Sequence, residues 1–127
     1  MTDSEVFDQG MRNRSAVLGA EHVARSLDAA SDFSRPLQEL VTEYCWGAVW
    51  GRDGLSKKTR SMLNLAMISA LNRPHELKMH VGGALKNGVT RDEIREVFMA
   101  VAIYCGVPAG VDAFRVAREV FAELDKK

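Results

Sequence analysis

The chain has 127 residues, and its seventeen Lys and Arg are matched by seventeen Asp and Glu, giving a formal net charge of zero. That length suits one domain, able to bury about two-thirds of its unfolded surface in a self-sufficient core. Without a basic excess, nucleic acid and anionic membrane are poor partners, and without net charge there is little electrostatic protection against self-association, so a homo-oligomer is expected.

Every periodic segment reads as helix. Residues 3–18 and 20–30 are two short candidates parted near Gly19, and the acidic start Met1-Thr2-Asp3-Ser4-Glu5 has no apolar run of the secretory type. Ser34-Arg35-Pro36 opens the next helix, with Ser34 as N-cap and Pro36 in the first turn. Within it Leu37, Leu40, Val41, Tyr44, Cys45, Ala48 and Val49 recur at i, i+3, i+4, i+7, i+8, the spacing of a core-facing stripe. Gly51-Arg52-Asp53-Gly54 is a turn. Ser56 can cap a helix to about Asn72 that is apolar nearly all round, which predicts burial on most sides and a central position. Its apolar run, Leu63 to Leu71, is too short to span a bilayer.

Arg73-Pro74 restarts the chain into a helix ending near Asn87, with Gly88 as the stop. Thr90-Arg91-Asp92-Glu93 is a capping box, and Ile94, Val97, Phe98, Val101, Ala102 and Cys105 form the stripe that follows it. Gly106-Val107-Pro108 ends that helix, and a last one runs over about 108–125. The fold class is therefore all-α, a single domain over 1–127 with an N-terminal helical arm (1–33) and a core (34–127). The two cysteines, Cys45 and Cys105, lie sixty positions apart, which is neither a disulfide framework nor a zinc spacing. Both sit on apolar stripes and are expected in the core, and the compartment expected from this usage is a reducing cytoplasm.

Zero charge is an average. Residues 1–50 hold four basic and eight acidic side chains, and residues 51–100 hold nine basic and five acidic. The basic middle suits either a complementary face or a pocket for a small anion. It contains Arg73-Pro74-His75-Glu76-Leu77-Lys78-Met79-His80. His75 and His80 are five apart, about 140° around a helix, so they are not a zinc-protease pair. Glu76 and His80 are i, i+4 and share a face. A carboxylate there fixes the imidazole tautomer and favours its protonated form, as a general acid requires, although an ordinary surface pair has the same spacing. Gly82 and Gly83, each costing about 1 kcal/mol in a helix, suggest close approach of a helix or ligand. Trp46 and Trp50 share a face and either wall a pocket or pack on a neighbour. His22 reads as exposed or as a subunit contact.

Five segments carry a resemblance: Trp46-Gly47-Ala48-Val49-Trp50, Gly54 to Ser61, Ala70 to His80, Asn87 to Ile94, and Ala102 to Ala109 with its Tyr104-Cys105-Gly106-Val107-Pro108. Together with Gly10 to Gly19 they resemble the carboxymuconolactone decarboxylase family over nearly the whole chain. The resemblance implies an all-α fold, cytoplasmic aromatic catabolism in the protocatechuate branch of the β-ketoadipate pathway, and a ring-shaped homo-oligomer, typically a hexamer. A second branch of the superfamily, resembling alkyl hydroperoxide reductase partner proteins, carries Cys-x-x-Cys with a His four residues beyond. That His falls on His80, but the two cysteine positions fall on Arg73 and Glu76, and the assisting acid falls near Ser61, so the thiol relay has no chemistry here.

The implied reaction converts 4-carboxymuconolactone to 3-oxoadipate enol-lactone and CO2. Electrons left by CO2 flow through the ring double bond into the lactone carbonyl, so the substrate is its own electron sink and neither metal nor cofactor is expected. The protein must anchor the retained carboxylate, and Arg12, Arg14, Arg52, Arg60 and Arg73 are the candidates because guanidinium binds carboxylate bidentately. It must aim donors at the developing oxyanion. It must protonate the ring carbon, for which His80 is expected to be the acid and Glu76 its orienting partner. Trp46 is a candidate apolar wall beside the leaving carboxylate. The competing readings are a decarboxylase or isomerase of another small lactone, a thiol reductase, and a non-catalytic helical binding module.

Overall fold

Cap and turn chemistry sets where the helices begin and end. A computed structural model describes residues 3–126. Among them, helices α1 (Asp3–Leu18) and α2 (Ala20–Asp28) part at Gly19, and α3 starts at Arg35 with Pro36 in its first turn. Ser34 does not cap α3 through its side chain; its Oγ instead accepts the Ser31 N–H at 2.9 Å, closing the preceding turn. Helices α4 (Lys57–Ala70), α5 (Pro74–Lys86), α6 (Arg91–Tyr104) and α7 (Val107–Asp125) complete the chain. Asn72, at φ 57°, carries the reversal between α4 and α5, and Gly88, at φ 90°, the one between α5 and α6. Both residue types tolerate this left-handed backbone. The capping box of α6 is complete. Thr90 Oγ1 accepts the Glu93 N–H at 3.0 Å, and Glu93 Oε1 accepts the Thr90 N–H at 2.9 Å. Lys58 Nζ lies 3.0 Å from the other Glu93 oxygen. The Thr90 N–H, with Lys58, holds the Glu93 carboxyl below the usual range.

The α3 helix continues from Arg35–Leu40 into a π-helical segment over Val41–Val49. The looser i→i+5 winding, seen in the Trp50 N–H donating to the Cys45 carbonyl at 3.0 Å, changes which residues share a face. The stripe expected from α-spacing fails here: Leu37, Leu40, Tyr44, Cys45, Ala48 and Val49 are exposed and Val41 is half-buried. The buried residues are Thr42, Trp46, Gly47 and Trp50.

The chain divides into two compact units, the first ending at Ser56 and the second beginning at Lys57. The helix over 35–49 thus belongs with the N-terminal arm. In the first unit α1 packs along the π-helical segment so closely that a Cβ at Gly10 would overlap the Thr42 carbonyl, and one at Gly47 the Val6 carbonyl. Val17, Trp46 and Trp50 form the core there, the two indoles 4.9 Å apart between ring centroids. In the second unit α4 contacts α5, α6 and α7, and α7 likewise contacts α4, α5 and α6, so the central place expected of α4 is not its alone. Leu65, Leu77, Val81, Ile94, Phe98 and Val116 are buried among them. Yet α4 buries one stripe only, Ser61, Leu65 and Ser69, while Leu63 and Met67, and Leu71 just past its end, stay exposed, short of the all-round burial its composition suggests. No helix among the described residues is long and apolar enough to cross a membrane.

Candidate functional site

Helix α5 positions the titratable cluster. Pro74 fills its first turn, and Arg73 precedes it with the guanidinium turned back on the carbonyls of Leu71 and Asn72, both at 3.3 Å. Leu77, Val81, Gly83 and Ala84 are the buried face of α5. Glu76 stands exposed one turn before His80, which is half-buried. The two interact electrostatically, but in the opposite net direction to that expected: burial pushes the His80 imidazole below the ordinary histidine value, and the Glu76 charge restores only part of it. His80 is therefore poised as a neutral imidazole whose proton affinity rises when more negative charge arrives. His75 is exposed on another side of the helix. Gly82 does not bear the close approach expected of it, since a Cβ there would meet open space, whereas Gly83 is buried.

The other predicted residues divide by unit. Arg60 is half-buried on α4. In the first unit Arg12 on α1 and Arg52 in the turn after the π-helical segment are exposed. Arg14 is buried, 6% exposed, and donates from one terminal nitrogen to Thr42 Oγ1 at 3.1 Å. Thr42 in turn donates to the Gln38 carbonyl at 2.7 Å. Next to Arg14, Asn13 Nδ2 donates to the Trp46 carbonyl at 2.8 Å. Trp46 itself is only 4% exposed and stacked on Trp50, so it presents little surface of the first unit to a ligand. His22 is half-buried.

Cys45 and Cys105, expected in the core, are exposed. The first lies on the displaced face of the π-helical segment, and the second caps the end of α6, past its last core residue, Val101. Cys105 instead borders an apolar groove of about 590 Å³ within the second unit, between Met62, Leu63 and Ala66 of α4 and Val97, Ala100 and Tyr104 of α6. Ser61, where the thiol relay would need an acid, is buried and accepts a hydrogen bond from Asn87 Nδ2 at 2.9 Å. No trio of His, Cys, Asp or Glu is grouped to hold a metal among the described residues. Sequence reasoning passed over Thr42, the hydroxyl that Arg14 reaches. Its only signal was a polar β-branched residue beside an apolar stripe.

Residues 35–119 match the carboxymuconolactone decarboxylase family. The chain is 41% identical over 124 residues to the 4-carboxymuconolactone decarboxylase of Acinetobacter baylyi, covering 98% of this chain and 92% of that protein. It is 43% identical over 122 residues to the nitrosuccinic acid decarboxylase of Metarhizium robertsii, covering 96% and 85%. A third relative, the 4-carboxymuconolactone decarboxylase of Pseudomonas putida, is 40% identical over 47 residues, 37% of this chain and 98% of that sequence.

Proposed function

Because the chain belongs to the carboxymuconolactone decarboxylase family, we propose that it is a carboxy-lyase that converts 4-carboxymuconolactone to 3-oxoadipate enol-lactone and CO2. The observation that carries this reading is the 41% identity to a protein of that activity along nearly the full length of both chains. The reaction needs no external electron sink, because the electron pair of the broken C–C bond passes through the ring double bond onto the lactone oxygen. A proton must then be delivered to the ring carbon.

His80 is the proposed donor. Its imidazole is neutral in the free protein at neutral pH because of burial. A bound dianion adds negative charge, raises its proton affinity and draws a proton onto it. Glu76, one turn away, adds to that pull and orients the ring. An arginine holds the carboxylate that stays, through paired N–H donors. Arg60 and Arg73 lie in the same unit as His80, and Arg12, Arg14 and Arg52 in the other. Such a general acid is worth about 10²–10⁴ in rate.

The proposed setting is the cytoplasm and the protocatechuate branch of the β-ketoadipate pathway, and the proposed assembly is a homohexamer. The apolar groove between α4 and α6, lined in part by exposed Leu63 and Tyr104, supports self-association, as do the exposed apolar side chains Met67 and Ile103 on the same two helices.

The test is an ultraviolet assay of lactone loss by the purified protein. His80→Ala and Glu76→Gln are each expected to lower turnover at least about tenfold while the oligomer stays intact. Wild-type rates in both would remove them from the mechanism. The nitrosuccinic acid relative favours a second reading, in which CO2 leaves a nitro-substituted carbon and the nitro group takes the electrons. Running both substrates side by side separates the two.

A further inference from the structure

The helix over 35–49 is apolar on two sides. One side packs on α1. On the other, Leu37, Leu40, Tyr44 and Val49 are each more than half exposed, with Cys45 and Ala48 exposed among them. A helix apolar nearly all round is one that neighbours cover on most sides. Leu37, Leu40 and Tyr44 stand at i, i+3 and i+7, the anchor spacing of a helix that lies in a groove. Within the second unit, the open groove of about 590 Å³ between α4 and α6 has the reciprocal character. Its walls are Met62, Leu63, Ala66, Val97 and Ala100, and no charged side chain lines it among the described residues. Exposed apolar surfaces of this kind mark interaction sites. The net charge of zero divides along the same line. Residues 1–56 carry five basic and nine acidic side chains, a balance of −4, and residues 57–127 carry twelve and eight, a balance of +4. In the sequence Glu39 and Glu43 are interspersed with the stripe, and Lys57, Lys58 and Arg60 surround Thr59, which lines the groove. Contact between like units of two copies would juxtapose charge of one sign, whereas contact between unlike units brings opposite signs together.

We propose that the exposed stripe of the helix over 35–49 seats in the α4–α6 groove of a second copy, the first unit of one chain on the second unit of the next. The inference rests on the self-association proposed above and names the two surfaces that make it. The contact is heterologous. Each copy offers one stripe and one groove, so two joined copies still leave one of each open, and addition continues until a ring closes. Both thiols lie on these surfaces, Cys45 on the stripe and Cys105 at the edge of the groove. Their exposure in the single chain is therefore lost on assembly.

The experiment is complementation between two chains, each disabled on one surface. Leu40→Glu/Tyr44→Glu spoils the stripe, and Leu63→Glu/Ala100→Glu spoils the groove; all four residues are exposed, so the cores of both units are left alone. Sedimentation is expected to show an assembled wild type and a monomer for each variant by itself. An equimolar mixture of the variants should give a one-to-one dimer, because the intact stripe of one meets the intact groove of the other and no further matching pair remains. Dissociation of only one variant, two monomers that do not pair, or two variants that stay assembled would each overturn the inference. The wild-type chain supplies a second readout that needs no variant to fold. Alkylation of Cys45 and Cys105 should be slow in the assembly and fast after dilution to monomer, at both thiols. Protection of one thiol alone, or of neither, also overturns the contact. A wild-type oligomer that fails these tests keeps the proposed self-association and loses this interface. A wild-type monomer loses both, and lactone turnover is scored separately in either case.

Discussion

Two glycine-to-alanine substitutions are expected to move stability in opposite directions. Both Gly10 and Gly82 lie inside helices, α1 and α5. Helix propensity alone predicts a gain of about 0.5–1 kcal/mol from alanine at either. At Gly82 a Cβ meets nothing within 4 Å, so Gly82→Ala is expected to realise that gain. At Gly10 the new carbon would overlap the Thr42 carbonyl, which is main chain and has no rotamer to retreat into. Helix α1 must then withdraw from the π-helical segment by about 1 Å, opening the packing around Val17, Trp46 and Trp50. Overpacking of this kind costs about 1–3 kcal/mol, sometimes more, and outweighs the propensity gain. For a chain of this size 1 kcal/mol is worth about 3–5 °C in Tm.

Urea unfolding gives the readout. Both tryptophans lie in the first unit and are 4% exposed, so their fluorescence reports that unit, while far-ultraviolet circular dichroism reports all helices. Gly10→Ala should lower the fluorescence midpoint, and Gly82→Ala should leave it in place or raise it with the dichroism midpoint. A Gly10→Ala chain with an undiminished fluorescence midpoint would refute the steric argument. A destabilised Gly82→Ala chain would show that something beyond this chain's own atoms packs on α5 beside His80.

Other outcomes follow from the site and the caps. The burial of His80 sets its free-protein pKa below 6.5, so kcat/KM should decline as pH rises past that value, when the proton to be delivered is lost. The bound dianion raises it, so the break in kcat should lie at higher pH. A kcat/KM flat from about pH 5 to 8 would exclude His80 as the acid. Thr90→Ala removes half of the α6 capping box and should cost about 1 kcal/mol in chemical denaturation; no loss would mean that Glu93 and Lys58 hold the helix start without it. The double variant Cys45→Ser/Cys105→Ser should retain full lactone turnover, and its inactivation would bring thiol chemistry back into consideration.

Local rules located most of the helices. The box at Thr90 and Glu93, the stop at Gly88 and the restart at Arg73-Pro74 appear where the chain predicts them, because each depends on residues within a turn of one another. The i, i+4 placement of Glu76 and His80 was legible for the same reason, and the family motifs placed the chain among decarboxylases. Longer-range physics decided the rest. The π-helical winding over Val41–Val49 turned a predicted core stripe into an exposed one and buried Thr42, Trp46 and Trp50 instead. Nothing in α-helical spacing anticipates that, because the segment's buried face is set against α1, at Gly10 and Gly47, a contact between residues far apart in the sequence. The sign of the His80 shift was equally out of reach, since neighbouring sequence supplies the Glu76 charge but not the burial that outweighs it. Arg14 was one of five candidate arginines (Arg12, Arg14, Arg52, Arg60 and Arg73) that the sequence did not tell apart. Only packing made it the buried one, and desolvation is a property of the surrounding fold, not of the residue or its neighbours along the chain.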